Sequence, residues 1–79
     1  MAKVKVYSLP TCLYCRKAKK FLDANNISYD DINVGRDKEG MEEMVEKTGQ
    51  MSVPVLTIDD QTVIGFDKRK ISELLGLVE

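Results

Sequence analysis

Lys3-Val4-Lys5-Val6-Tyr7-Ser8-Leu9-Pro10-Thr11-Cys12-Leu13-Tyr14-Cys15 carries the chain from one kind of element into another. Residues 3–8 alternate, with Val4 and Val6 on one face, and this period of two predicts a strand. Pro10 and Thr11 interrupt it, and Thr11 is a candidate N-cap for a helix starting near Cys12. On that helix Cys15, Ala18, Phe21 and Leu22 fall on one apolar stripe. A strand feeding a helix in this way opens a βαβ unit, whose two strands run parallel because the helix supplies the crossover.

The rest of the chain extends the unit. Asn25 and Asn26 tolerate the left-handed backbone that often ends a helix. Residues 28–34, with Ile27 leading in, predict a second strand. Asp37 is placed to cap a second helix with the stripe Met41, Met44, Val45 and Thr48, stopped by Gly49. Residues 53–58 are strongly β-prone, with Pro54 near their start. Asp59-Asp60-Gln61 reads as a turn before a short strand at residues 62–64. A third helix follows from Asp67, with Ile71, Leu74, Leu75 and Val78 inward. The expected order is βαβαββα, an α/β fold with a four-stranded mixed sheet flanked by helices on both faces. The first two strands should be parallel, and the last two an antiparallel hairpin.

Composition narrows the function. Seventy-nine residues make a single domain, residues 1–79, and 43% apolar with 32% charged residues is too apolar for disorder. A net charge of −1 gives no reason to expect a nucleic-acid or membrane partner. No apolar run approaches the roughly 20 residues that span a bilayer. Met1-Ala2-Lys3-Val4-Lys5-Val6 lacks the apolar core of a signal peptide, so a cytoplasmic location is expected. In that compartment a C-x-x-C is more often catalytic or metal-binding than structural. Cross-linking residues three positions apart also removes little entropy from the unfolded chain, so chemistry explains the pair better than stability does.

Three readings of Cys12 and Cys15 compete. Structural zinc wants four ligands, and the chain offers two cysteines and no histidine. Arg16 stands where a haem attachment motif needs histidine. An inert buried pair is the second reading. Thiol–disulfide exchange is the third, and the surroundings favour it with Cys12 as nucleophile. A thiolate at the first helical turn faces unpaired N–H groups and the positive end of the helix dipole. Arg16 and Lys17 add positive potential nearby, whereas Lys19 and Lys20 read as a solvated face. Cys15 lies one turn inward, placed to attack a mixed disulfide. Pro54 reads equally as a strand-start proline or as part of a site.

Three stretches together resemble the glutaredoxin family: Tyr7 to Cys15, then Thr48-Gly49-Gln50-Met51-Ser52-Val53-Pro54, then Gly65-Phe66-Asp67. The resemblance spans essentially the whole chain and implies the thioredoxin fold. It further implies that Cys12 attacks and Cys15 resolves. Pro54 would be cis beside the thiolate, with the Val53 backbone pairing with the cysteine of glutathione. Tyr14 matches the aromatic residue of the usual Cys-Pro-Tyr-Cys. Asp67 matches the carboxylate that holds the γ-glutamyl amino group, and the adjacent helix N-terminus suits the γ-glutamyl carboxylate. As a plain N-cap, Asp67 would contribute about 1 kcal/mol. Gly65 and Phe66 complete the binding segment. Lys68, Arg69 and Lys70 read as a solvated face.

The chain also departs from the pattern. Leu13 replaces the proline between the cysteines, and Leu9 a lysine that contacts glutathione. Gln50 stands where a basic residue often meets the glycyl carboxylate, and Ile64 replaces the first glycine of a Gly-Gly turn. The resemblance therefore implies a monomeric thiol–disulfide oxidoreductase with no bound cofactor, using glutathione as co-substrate and acting on disulfide-containing proteins and glutathione mixed disulfides. Two alternatives stand beside it. One is the glutaredoxin-like donor to ribonucleotide reductase recharged by thioredoxin reductase. Its Trp-Ser before Gly-Phe is absent here, where Val63-Ile64 stand, and Asp67 replaces its arginine. The other is a [2Fe–2S] carrier ligated by glutathione and by Cys12 of two chains.

Overall fold

The structure is a computed structural model and describes residues 3–77. Its elements are β1 (Val4–Ser8), α1 (Leu13–Ala24), β2 (Asp30–Asn33), α2 (Lys38–Thr48), β3 (Val55–Ile58), β4 (Gln61–Ile64) and α3 (Lys68–Leu75). The expected βαβαββα order is therefore present, in one sheet ordered β2-β1-β3-β4. β1 and β2 are parallel, with Tyr7 opposite Ile32 and Ser8 opposite Asn33. β3 is antiparallel to β1, with Tyr7 opposite Val55, and β4 antiparallel to β3, with Ile64 opposite Val55.

This register decides where a site can form. The end of β1, the start of β3 and the end of β4 lie at the same edge of the sheet. The segments attached there are Leu9–Cys12, Val53–Pro54 and Gly65–Asp67. Residues more than fifty positions apart are thus brought together by strand pairing alone.

Period-two alternation divides the core. Val4, Val6, Leu56, Ile58 and Val63 pack with Ala18, Leu22 and Ile71 of α1 and α3 on one face. Tyr7 and Val55 pack with Val34 and Met44 on the α2 face. Helix ends follow local chemistry. Asp37 caps α2 through the Gly40 N–H at 2.9 Å, and Gly49 ends it at φ 71°, where a side chain would be strained. Asn26 takes the left-handed backbone after α1, at φ 57°.

The boundaries differ from expectation at particular residues. β2 begins at Asp30, and β3 at Val55, because Pro54 has no N–H for the ladder. Gln61 belongs to β4, leaving a two-residue turn with Asp59 at φ 54°. That turn is tied to Lys3, whose N–H donates to Asp59 Oδ1 at 2.9 Å. The expected helix contact of Val78 lies outside the described residues. Thr11 is not the N-cap of α1. The Cys12 N–H donates to the Leu9 carbonyl at 3.1 Å, closing a turn through Pro10 and Thr11. This leaves Cys12 extended at φ −87°, ψ 118°, and its own sulfur becomes the cap.

Tyr7 is fully buried, yet its hydroxyl donates to Glu43 on α2. Lys5 and Lys47 also approach this carboxylate, at 3.4 and 3.8 Å. Burial, then the Glu43 bond, pushes the Tyr7 phenol well above its usual range. The same bond, aided by Lys5 and Lys47 and partly opposed by burial, holds the Glu43 carboxyl below its usual range. A phenol raised in the fold stabilises it below about pH 10, and this contribution is lost as pH rises further. A carboxyl depressed in the fold stabilises it above about pH 4.3, and this contribution is lost as pH falls through the folded value. Tyr7→Phe is expected to cost about 1.5 kcal/mol at pH 7, the low end for a bond to a charged group, because Glu43 is partly exposed. Urea unfolding at pH 7 and pH 3 checks this: the difference should shrink in acid, and equal differences would exclude the carboxylate as its source.

Candidate functional site

The site begins with a sulfur at a helix start. Cys12 Sγ accepts the Cys15 N–H at 3.3 Å and lies 4.0 Å from the Val53 carbonyl oxygen. Both cysteines are free thiols in this structure, Cys12 half-buried and Cys15 fully buried. An N–H aimed at Sγ, with the helix dipole behind it, favours negative charge on that atom during exchange. Burial, then the neighbouring Cys12 sulfur, pushes the Cys15 thiol up to about 11. The Leu9 backbone and Lys19 act in the opposite direction. At neutral pH the buried sulfur is therefore a thiol, and the accessible one is placed to react first.

The second wall is the loop before β3. The Val53–Pro54 peptide is cis, and Pro54 is buried. The Pro54 carbonyl accepts the Gly65 N–H at 2.7 Å, which ties the β4 end to the same loop. Gly65 has φ 81° and open space where a Cβ would stand, so the surface there is backbone. Cys12, Cys15, Val53, Pro54 and Gly65 thus form one connected group.

The remaining expected residues lie on the chain segments next to these. Asp67 caps α3, its Oδ1 accepting the Lys70 N–H at 3.1 Å. Gln50 is exposed, and its amide oxygen accepts from Ser52 Oγ at 3.2 Å. Tyr14 is exposed with the Lys17 ammonium 5.1 Å from its ring centre. Phe66 packs its ring toward the core, 6.0 Å from Phe21 at 60°. Its side chain therefore anchors the segment. Arg16 donates to the Pro10 carbonyl at 3.2 Å and folds across the turn before Cys12.

Two features escaped the sequence reading. Among the described residues, the large exposed hydrophobic side chains are Leu13, Tyr14, Met51 and Ile64. Leu13 and Tyr14 follow Cys12 directly, Met51 lies in the loop before Val53, and Ile64 ends β4 beside Gly65. The second concerns Lys19, which is not on a solvated face. Its ammonium pairs with Asp31 at 2.8 Å, and Asp31 accepts the hydroxyl of buried Ser8 at 2.8 Å. The i,i+4 spacing of Cys15 and Lys19 was the available signal, since such residues share a helix face. In contrast, Lys68, Arg69 and Lys70 are exposed as expected.

The family model described as Glutaredoxin matches residues 4–63. The chain belongs to the glutaredoxin family. It is 42% identical over 72 residues to a glutaredoxin-like 8.6 kDa protein in the rubredoxin operon of Clostridium pasteurianum, covering 91% of this chain and 96% of that one. Glutaredoxin 3 of Escherichia coli is 34% identical over 67 residues, 85% of this chain and 81% of that protein. The glutaredoxin-like protein NrdH of Lactococcus lactis is 35% identical over 71 residues, 90% and 97% of the two chains. Among solved structures, a mutant of the thioredoxin-like protein BC3987 superposes with a TM-score of 0.91 at 32% identity, covering 99% of this chain and all of that one. The fold is the thioredoxin fold, and this glutaredoxin-family chain is a thiol–disulfide oxidoreductase carrying a Cys12/Cys15 pair. No helix among the described residues is long and apolar enough to cross a membrane.

Proposed function

We propose that the chain is a dithiol glutaredoxin that reduces protein disulfides and glutathione mixed disulfides, with glutathione as its reductant. The observation that carries this reading is the placement of Cys12 Sγ, 3.3 Å from the Cys15 N–H and 4.0 Å from the Val53 carbonyl oxygen. The Cys12 thiolate attacks one sulfur of the substrate disulfide and expels the other as a thiolate, which takes a proton. Cys15 then gives up its proton and attacks Cys12 Sγ, closing the Cys12–Cys15 disulfide and releasing the second product thiol. Two glutathione molecules return the pair to the dithiol and leave as glutathione disulfide. Glutaredoxin potentials of about −200 to −230 mV lie close to the cytosolic glutathione poise, so the cycle runs in either direction.

The glutathione contacts follow the same geometry. The Val53 backbone beside Cys12 would pair with the cysteinyl part of glutathione. Gly65 leaves room for the peptide, and Asp67 Oδ1 caps α3 while Oδ2 can meet an ammonium group. Gln50 would donate its amide N–H to the glycyl carboxylate, and Tyr14 would border the sulfur. A second reading is favoured by the exposed apolar side chains of Leu13, Tyr14, Met51 and Ile64, by Leu9 and Gln50 in place of basic residues, and by the relative named NrdH. In it the electrons arrive directly from thioredoxin reductase, and Asp67 acts only as a helix cap.

NADPH-coupled reduction of a small disulfide distinguishes the two. Turnover with glutathione and glutathione reductase, and none with thioredoxin reductase alone, is expected. The reverse result would overturn the glutathione reading.

A further inference from the structure

Closing the Cys12–Cys15 disulfide requires a thiolate at the less reactive of the two sulfurs. Cys15 is fully buried, and burial pushes its thiol up, which disfavours the thiolate at neutral pH. The resolving step therefore gains from any fixed positive charge that Cys15 faces.

Lys19 supplies one. It lies one helical turn beyond Cys15 on the same side of α1, where side chains four residues apart are neighbours. Its side chain is only 24% exposed, in contrast to a surface lysine. The ammonium is held 2.8 Å from Asp31 Oδ2 on β2, and Asp31 Oδ1 accepts from Ser8 Oγ at 2.8 Å. Ser8 is buried at the end of β1, next to Leu9, whose carbonyl fixes Cys12. Three elements thus converge to immobilise one ammonium beside the reactive helix turn. A free lysine has four rotatable side-chain bonds and would hold its charge in water.

We propose that Lys19, fixed by Asp31 and Ser8, is a positioning residue that stabilises the Cys15 thiolate during resolution of the mixed disulfide. The Lys19 charge acts on the Cys15 sulfur in the direction that favours the thiolate. Cys15 faces Cys12 and Lys19 as titratable neighbours and the Leu9 backbone as a neutral one. Asp31 faces Lys19, Ser8 and the Tyr29 phenol, which it helps to raise. In the step itself the Cys15 S–H bond breaks and its proton passes to solvent. The Cys15–Cys12 S–S bond forms, the bond from Cys12 to the substrate sulfur breaks, and the departing thiolate takes up a proton. Both protein thiols are oxidised and the substrate disulfide is reduced, with no further reactant. This inference rests on the reading of Cys15 as the resolving thiol.

The test isolates resolution from the source of electrons. The reduced protein is mixed with methyl methanethiosulfonate, which places a methylthio group on Cys12. Acid quenching and intact mass then follow loss of the adduct between pH 5 and pH 9. For Lys19→Met, release at pH 7 is expected to slow about tenfold and its pH profile to move up by about one unit, the size of shift a nearby charge produces. Lys19→Gln keeps a polar head for Asp31 without the charge and should show the same shift, while Lys19→Arg should stay close to the parent. Profiles that superpose for the parent and either neutral variant would overturn the proposal, and so would an equal slowing in Lys19→Arg. Failure of the underlying reading looks different: Cys15→Ser would then lose the adduct as fast as the parent, or no adduct would form on Cys12.

Discussion

Cys12→Ser is expected to reduce disulfide reduction to the uncatalysed background while leaving the fold intact. The chemical half follows from the sulfur. Exchange requires a nucleophile that is anionic near neutral pH and also a good leaving group, and a serine hydroxyl is neither. The structural half follows from the cap. Cys12 Sγ occupies the N-cap of α1 and accepts the Cys15 N–H. Serine is among the preferred N-cap residues, its oxygen well suited to that same N–H. Stability should therefore stay within about 1 kcal/mol of the parent, or rise slightly. Activity and melting temperature measured on the same sample separate the two halves. Activity retained in Cys12→Ser would show that another group is the nucleophile.

The elements were legible wherever one local signal dominated. Val4 and Val6 alternate on a strand and share the face packed on α1 and α3, and Asp37 and Gly49 bracket α2 as capping chemistry requires. What the sequence concealed depended on loop closure or on pairs distant along the chain. Thr11 reads as a better cap than cysteine by residue preference, but the Leu9–Cys12 turn moves the cap position one residue on. Lys19 sits in a basic run that looks solvated, and nothing local reveals that Asp31 and Ser8, on two different strands, meet it. Phe66, expected in the binding segment, also packs its partly buried ring against the core beside Phe21. The exposed apolar side chains were hidden for a similar reason. Leu13, Met51 and Ile64 come from three separate segments, and exposure of each is set by the fold rather than by its neighbours in sequence. The cysteine pair was readable because its spacing alone puts both sulfurs on the first helical turn. Its polarity, with Cys12 accessible and Cys15 buried, follows from the inward stripe that Cys15 shares with Ala18 and Leu22.

Cys15→Ser is expected to divide the activity in two. A monothiol enzyme needs only Cys12 when the substrate carries a glutathione adduct, because a second glutathione can resolve the intermediate from solution. A protein disulfide gives a bulkier intermediate in which an external thiol must compete with an internal one held a helical turn away. The internal thiol has the advantage of proximity, worth several orders of magnitude in effective concentration for a well-oriented group. Turnover on glutathione mixed disulfides should therefore survive in Cys15→Ser, and reduction of protein disulfides should fall to background with the mixed disulfide accumulating. The hydroxyl enters a fully buried position beside Ala18, where an unpaired polar group costs about 1–3 kcal/mol. Cys15→Ala keeps the position apolar and should give the same division of activity with a smaller stability loss, which removes unfolding as an explanation. Non-reducing mass analysis of the trapped species identifies its linkage. Joint loss of both activities in both variants would mean that Cys15 does more than resolve. Retention of protein-disulfide reduction would mean that resolution comes from outside the chain.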